Sequence, residues 1–172
     1  MTYIGKVLRW TRGEGGATAV EFTILLPVML VTFAAIVEGS RIYWNYQGAV
    51  VGVRDAARYL ARTTNNDVCP GGASTGTPIA GGVAVVTPIM SRNIDTDGNG
   101  LFPAAVTLST TTPLSATYDC IPVTGVGIVP VAVVAATVEI QLPFSTLFDL
   151  FGNFPNGVMT STITDQSRIY GI

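Results

Sequence analysis

The 172 residues contain no histidine, and lysine occurs once, as Lys6. Histidine is the commonest general acid/base and the commonest metal ligand near neutral pH. Its absence excludes Ser–His and Cys–His nucleophilic catalysis and the usual His-bearing zinc sites. Charge is also scarce. Asp, Glu, Lys and Arg make up 12% of the chain, about half of what a soluble domain carries. The net charge of −2 leaves no basic footprint for nucleic acid. The two cysteines, Cys69 and Cys120, do not form a C-x-x-C redox pair. These gaps argue against an enzyme, a resident cofactor, a small-molecule substrate and a nucleic-acid partner.

What the chain has in excess is apolar surface, at 48% hydrophobic residues and a mean hydropathy of +0.48. Residues 1–16 are basic, with Lys6, Arg9 and Arg12 against Glu14, and end in Gly15-Gly16. The 21 residues Ala17–Val37 then carry a single charge, Glu21, and Phe22–Val37 carries none. At a rise of 1.5 Å per residue, about 21 helical residues reach roughly 31 Å, one bilayer hydrocarbon core. The run is apolar all round and has no polar face, which suits lipid better than the core of a small domain. Three cations precede it and only Arg41 follows before Arg54, so the positive-inside bias places the N-terminus in the cytoplasm and the bulk of the chain outside. A cleavable secretory signal has a similar start, but this run is long for one and no A-x-A site closes it.

Glu21 is the informative residue, because a carboxylate one turn into a membrane helix is costly and usually functional. A bland reading leaves it snorkelling in the headgroup zone. Its context is Gly16-Ala17-Thr18-Ala19-Val20-Glu21-Phe22: glycine closes a basic leader, a glutamate stands fifth after it, and an aromatic follows. This arrangement resembles the processing site of type IV prepilins. The resemblance implies cleavage after Gly16 by a prepilin peptidase, a new amine on Ala17, and Glu21 as the carboxylate that docks on a neighbouring subunit's amine.

The longer stretch through Thr23-Ile24-Leu25-Leu26-Pro27, the element Glu38-Gly39-Ser40-Arg41 and the Val53–Arg62 segment are similar to TadE-like proteins, minor pilins or pseudopilins of the Tad (tight adherence) pilus system. That family resemblance implies prepilin peptidase, other Tad pilins and an inner-membrane assembly platform as partners, with roles in surface adhesion and biofilm formation. It places the chain in the bacterial inner membrane, single-pass, with a periplasmic C-terminal domain. Phe22 and Pro27 join Glu21 as expected assembly residues. Pro27 removes a backbone donor, which membrane helices tolerate.

From 38 to 62 the residues Ile42, Tyr46, Val50, Val53, Ala57 and Leu60 form one stripe of a 3.6-residue helix. One helix is therefore expected from Ala17 to about Arg62, with a possible break near Gly39, because Gly39, Gly48 and Gly52 weaken it. Strands are expected at Gly82–Thr87, Ala105–Thr110, Val131–Leu142 and Val158–Tyr170, from β-branched runs bounded by Gly, Pro or Asn. The uncharged stretch Val123–Val138 reads as loop and buried strand rather than a second span, being short, β-branched and interrupted by glycine and proline.

The expected fold is α+β and pilin-like: a leader at 1–16, a membrane or filament-core helix at 17–37, an amphipathic continuation at 38–62, and a periplasmic domain at 63–172 built on a three- or four-stranded antiparallel sheet. Outside the cytoplasm Cys69 and Cys120 are most simply a disulfide, with two free thiols as the alternative. Asp95, Asp97 and Asn99, followed by Gly100, match positions 1, 3, 5 and 6 of a calcium-binding EF-hand loop. Pro103 and Val106 stand where the later ligands belong, so a polar turn is the plainer reading and calcium the sharper one. The apolar segment Phe144–Phe151 reads as a cap on the sheet or a subunit contact. An uncleaved, membrane-anchored periplasmic binding module is the alternative function.

Overall fold

The computed structural model describes residues 15–94, 106–111, 114–141 and 157–171. Most of the basic leader, the candidate calcium residues Asp95, Asp97 and Asn99, and the Phe144–Phe151 segment lie outside the described residues. The chain divides into two compact units between Ser40 and Arg41.

Helix α1 spans Gly15–Thr63 and continues through both Pro27 and Gly39. The first unit contains its apolar half. There the hydroxyls of Thr23, Thr32 and Ser40 donate to the carbonyls of Ala19, Val28 and Ile36, each four residues back, at 2.7–2.8 Å. Such back-bonding satisfies a hydroxyl within its own helix.

In the second unit α1 becomes one-sided. Ala49, Val53, Ala56, Ala57, Leu60 and Ala61 are buried, on the face that the 3.6-residue spacing selects. Thr63 ends the helix, and a short 3₁₀ turn, Asn66–Val68, leads into the sheet, with the Asn65 side chain accepting from the Asp67 N–H. The strands are β1 (Ser74–Pro78), β2 (Val106–Leu108), β3 (Leu114–Val123), β4 (Gly127–Gln141) and β5 (Val158–Arg168). All pairings are antiparallel. β4 is central, with β5 along one edge and β3 and then β2 along successive stretches of the other; β1 flanks β3. The expected α+β, pilin-like arrangement is present, with five strands where three or four were expected.

The sheet buries one face. Ala132, Val134, Ala136 and Val138 alternate inward along β4 and meet Ala116 of β3 and Ile163 of β5. The second helix, α2 (Gly82–Asn93), adds Val86 and Met90 to the same core. Here the expectation of a strand at Gly82–Thr87 is wrong. Gly82, Val86 and Met90 recur every four residues and are the buried positions. That helical stripe is completed only beyond Thr87, so packing overrides the β-branched propensity of the first turn.

α1 and α2 approach closely at two glycines. A Cβ on Gly48 would lie 2.6 Å from the Asn93 carbonyl oxygen, and one on Gly52 would lie 3.1 Å from both Asn93 Cβ and Met90 Sδ. These glycines, which weaken a helix by propensity alone, are therefore what permits the crossing. At the far end of α1 the Tyr170 N–H donates to the Ala61 carbonyl at 3.1 Å, satisfying one of the acceptors a helix C-terminus leaves open. The Cys69–Cys120 disulfide forms, with the Cα atoms 5.9 Å apart, and ties the chain leaving α1 to β3.

Candidate functional site: an exposed apolar helix

The residues singled out by sequence lie in succession near the start of α1: Gly16, Ala17, Glu21, Phe22 and Pro27. Low helix propensity at Gly15-Gly16 makes this a weak helix start. A Cβ on Gly16 would meet nothing within 4 Å. Packing within this chain therefore does not require glycine there, and a requirement for it has to come from something outside the chain.

Glu21 is exposed, and so is Phe22, at 60%. They begin a surface on which Ile24, Leu25, Val28, Met29, Leu30, Phe33 and Ile36 are all more than half exposed. The most apolar window of the helix has a mean hydropathy of 2.3 and none of it is buried within the chain. A core helix of a soluble protein passes the same length and composition test but is mostly buried, whereas this helix is long and apolar enough to cross a membrane and is left uncovered by the described residues. At about 25 cal/mol per Å², leaving such a surface in water is prohibitive.

Glu38 closes the charge-free run. Sequence reasoning gave it no role beyond membership in the Glu38–Arg41 element. It is 3% exposed, and with Ser109 it is one of two buried polar side chains among the described residues. Other groups in the structure engage it. A carboxylate buried this far is tolerated only when paired or hydrogen-bonded. The signal available in the sequence was position alone: an acid directly abutting 16 uncharged residues.

Among the described residues of the second unit no catalytic constellation is assembled. A cleft of about 540 Å³ is lined by Leu60, Val68, Ile79, Val85 and Tyr118 with Thr63 and Thr64 at its side. Tyr118 is the one titratable group among these. Among the described residues no three His, Cys, Asp or Glu side chains are placed to hold a metal ion. The Asp119 carboxylate is structural: its Oδ1 accepts the Gly76 N–H at 2.6 Å, where a register irregularity between Ser74 and Thr77 would otherwise strand that donor.

No curated protein and no solved structure matches the chain. The family model described as TadE-like protein matches residues 16–58, from the glycine that closes the basic leader, through the apolar run and Glu38, to Arg58 on the amphipathic half of α1, and in this segment, a quarter of its length, the chain is similar to TadE-like proteins.

Proposed function

We propose that the protein is a minor pilin, or pseudopilin, of a Tad-type pilus, made as a precursor and cut after Gly16 by a prepilin peptidase. The observation that carries this reading is the bare apolar half of α1, with Glu21 as its lone charge near the start, in a segment similar to TadE-like proteins. Before assembly the helix rests in the inner membrane with its basic leader in the cytoplasm. Cleavage leaves Ala17 with a free positive amine. On assembly the helix moves from lipid into a filament core, where apolar neighbours replace acyl chains at little net cost. Glu21 then supplies direction. An unpaired carboxylate among apolar helices is expensive, and pairing it with a neighbouring subunit's amine selects one axial register. Partners on this reading are the peptidase, other Tad pilins and the assembly platform, and the biological outcome is adhesion and biofilm formation.

The test is the intact mass and N-terminal sequence of the protein isolated from native membranes. A chain beginning at Ala17, methylated or not, supports processing. A chain beginning at Met1 removes the pilin mechanism and leaves an anchored periplasmic module. A start beyond Val37 means a secretory signal and a released domain.

A further inference from the structure

Two aromatic side chains have no role in the fold. Trp44 is 81% exposed and Tyr43 is 65% exposed, although the same helix buries Ala49, Val53 and Ala57 nearby. An indole and a phenol ring each present a large, mainly apolar surface with one polar handle. Docking of Glu21 does not use them, and they follow the last residue of the charge-free run, Val37, by six and seven positions.

That spacing has a physical meaning in a bilayer. A helix needs about 20 residues to cross the hydrocarbon, and headgroup layers of roughly 5–8 Å lie on either side. Counted from Phe22, the first residue of the charge-free run, about 20 residues end near Arg41, which sets the crossing a turn later than the 17–37 expected from composition. Tyr43 and Trp44 come directly after it, in the layer where amphipathic rings are most favourably placed. The neighbouring charges agree. Between Phe22 and Arg54 the only acidic residue is Glu38, which is buried, so no exposed negative charge opposes lipid phosphates at this level. Ser40 and Gln47, exposed close by, are neutral and polar.

We propose that Tyr43 and Trp44 form an interfacial anchor, seated in the headgroup layer of the outer leaflet, that fixes how deeply α1 sits before assembly. The partner is a phospholipid surface. The inference rests on the reading of α1 as a membrane span and adds the position of its outer boundary. It also implies that leaving the membrane requires the pair to be lifted out of the lipid, so the anchor opposes extraction.

The test uses the full chain with Trp10→Phe, in which Trp44 is the sole tryptophan, reconstituted into phosphatidylcholine vesicles. The acyl chains are brominated either near the glycerol end or near the methyl end. A second chain, Trp10→Phe/Trp44→Phe/Phe33→Trp, reports on the middle of the span. The expected result is a blue-shifted Trp44 emission lost mainly to the shallow bromines, with the Phe33→Trp chain losing its emission mainly to the deep ones. If the Phe33→Trp chain is quenched by deep bromines while Trp44 is open to aqueous iodide and untouched by either lipid, the anchor is overturned and the span stands. Stronger quenching of Trp44 by deep than by shallow bromines also overturns it. If neither chain is quenched by lipid, the span itself fails and the anchor with it.

Discussion

Glu21 and Glu38 are the two acidic residues of the apolar half of α1, and their surroundings separate their roles. Glu21 is exposed, so within a single chain its loss removes little. Glu38 is buried and engaged by other groups, so its removal loses a buried polar interaction. Glu38→Ala is therefore expected to lower unfolding stability by about 1–3 kcal/mol, whereas Glu21→Ala stays within about 0.5 kcal/mol of the parent. Denaturant titration in a mild detergent measures both. The functional order is reversed. Glu21→Ala is expected to be processed at Gly16 and yet be largely missing from the sheared pilus fraction, because its defect appears only when subunits meet. Equal loss of stability in the two variants would mean that Glu21 also holds the monomer together. Gly16 belongs at this scale too. A Cβ there meets nothing within 4 Å, so failure of cleavage in a Gly16→Ala variant is attributable to the peptidase and not to misfolding.

At the scale of elements, three glycines of α1 look alike in sequence and differ in what surrounds them. Gly39 has open space where a Cβ would stand, while Gly48 faces the Asn93 carbonyl at 2.6 Å. Gly48→Ala forces α1 and α2 apart and is expected to destabilise the second unit by about 1–3 kcal/mol. Gly39→Ala is expected to be neutral or to stabilise the helix by up to about 1 kcal/mol. Thermal melts of the two variants decide this, and a Gly39→Ala loss matching that of Gly48→Ala would contradict the open surroundings. This contrast also marks what was legible in advance. The helix, its charge-free run and its buried stripe follow from composition and period, because lipid-facing and core-facing patterns are local. The strand β4 and much of β5 follow from β-branched alternation in the same way. β3 was not foreseen because its inward residues are small, Ala116 and Cys120, and Asp119 and Pro122 break the familiar apolar pattern. Pro122 is accommodated because β1 pairs β3 only from Thr117 to Cys120, leaving that edge free at Pro122. α2 was misread as a strand because its identity depends on Met90 reaching a core assembled by distant segments. The disulfide was legible from compartment alone, whereas the burial of Glu38 required the fold.

For the whole molecule, the second unit raises a question of stability. Seven of the seventeen residues in its buried cluster are alanine, and burying a methyl contributes only about 0.8 kcal/mol. The Arg54–Asp165 pair, at 3.9 Å and half exposed, adds less than about 1 kcal/mol. A core of this kind is thin support for a sheet whose strands pair across long stretches of chain. The Cys69–Cys120 bond, with a sequence separation of 51, encloses β1, α2, β2 and most of β3. It removes about 4 kcal/mol of chain entropy from the unfolded state in the simplest account, and often less in practice. Cys69→Ser/Cys120→Ser is therefore expected to lower the urea midpoint of the sheet signal steeply, by the equivalent of about 2–4 kcal/mol. The helical signal of the first unit, which contains neither cysteine, is expected to persist in detergent. Reductant should reproduce the effect in the parent and leave the double variant unchanged. An unshifted midpoint would mean that packing alone holds the sheet. The same separation predicts the phenotype in cells. Processing depends on the start of α1 and is expected to proceed in the double variant, while the unsupported outer domain is degraded. The variant should therefore be recovered in its cleaved form but in reduced amount, which distinguishes loss of the clasp from loss of the cleavage site at Gly16, where uncleaved full-length chain accumulates instead.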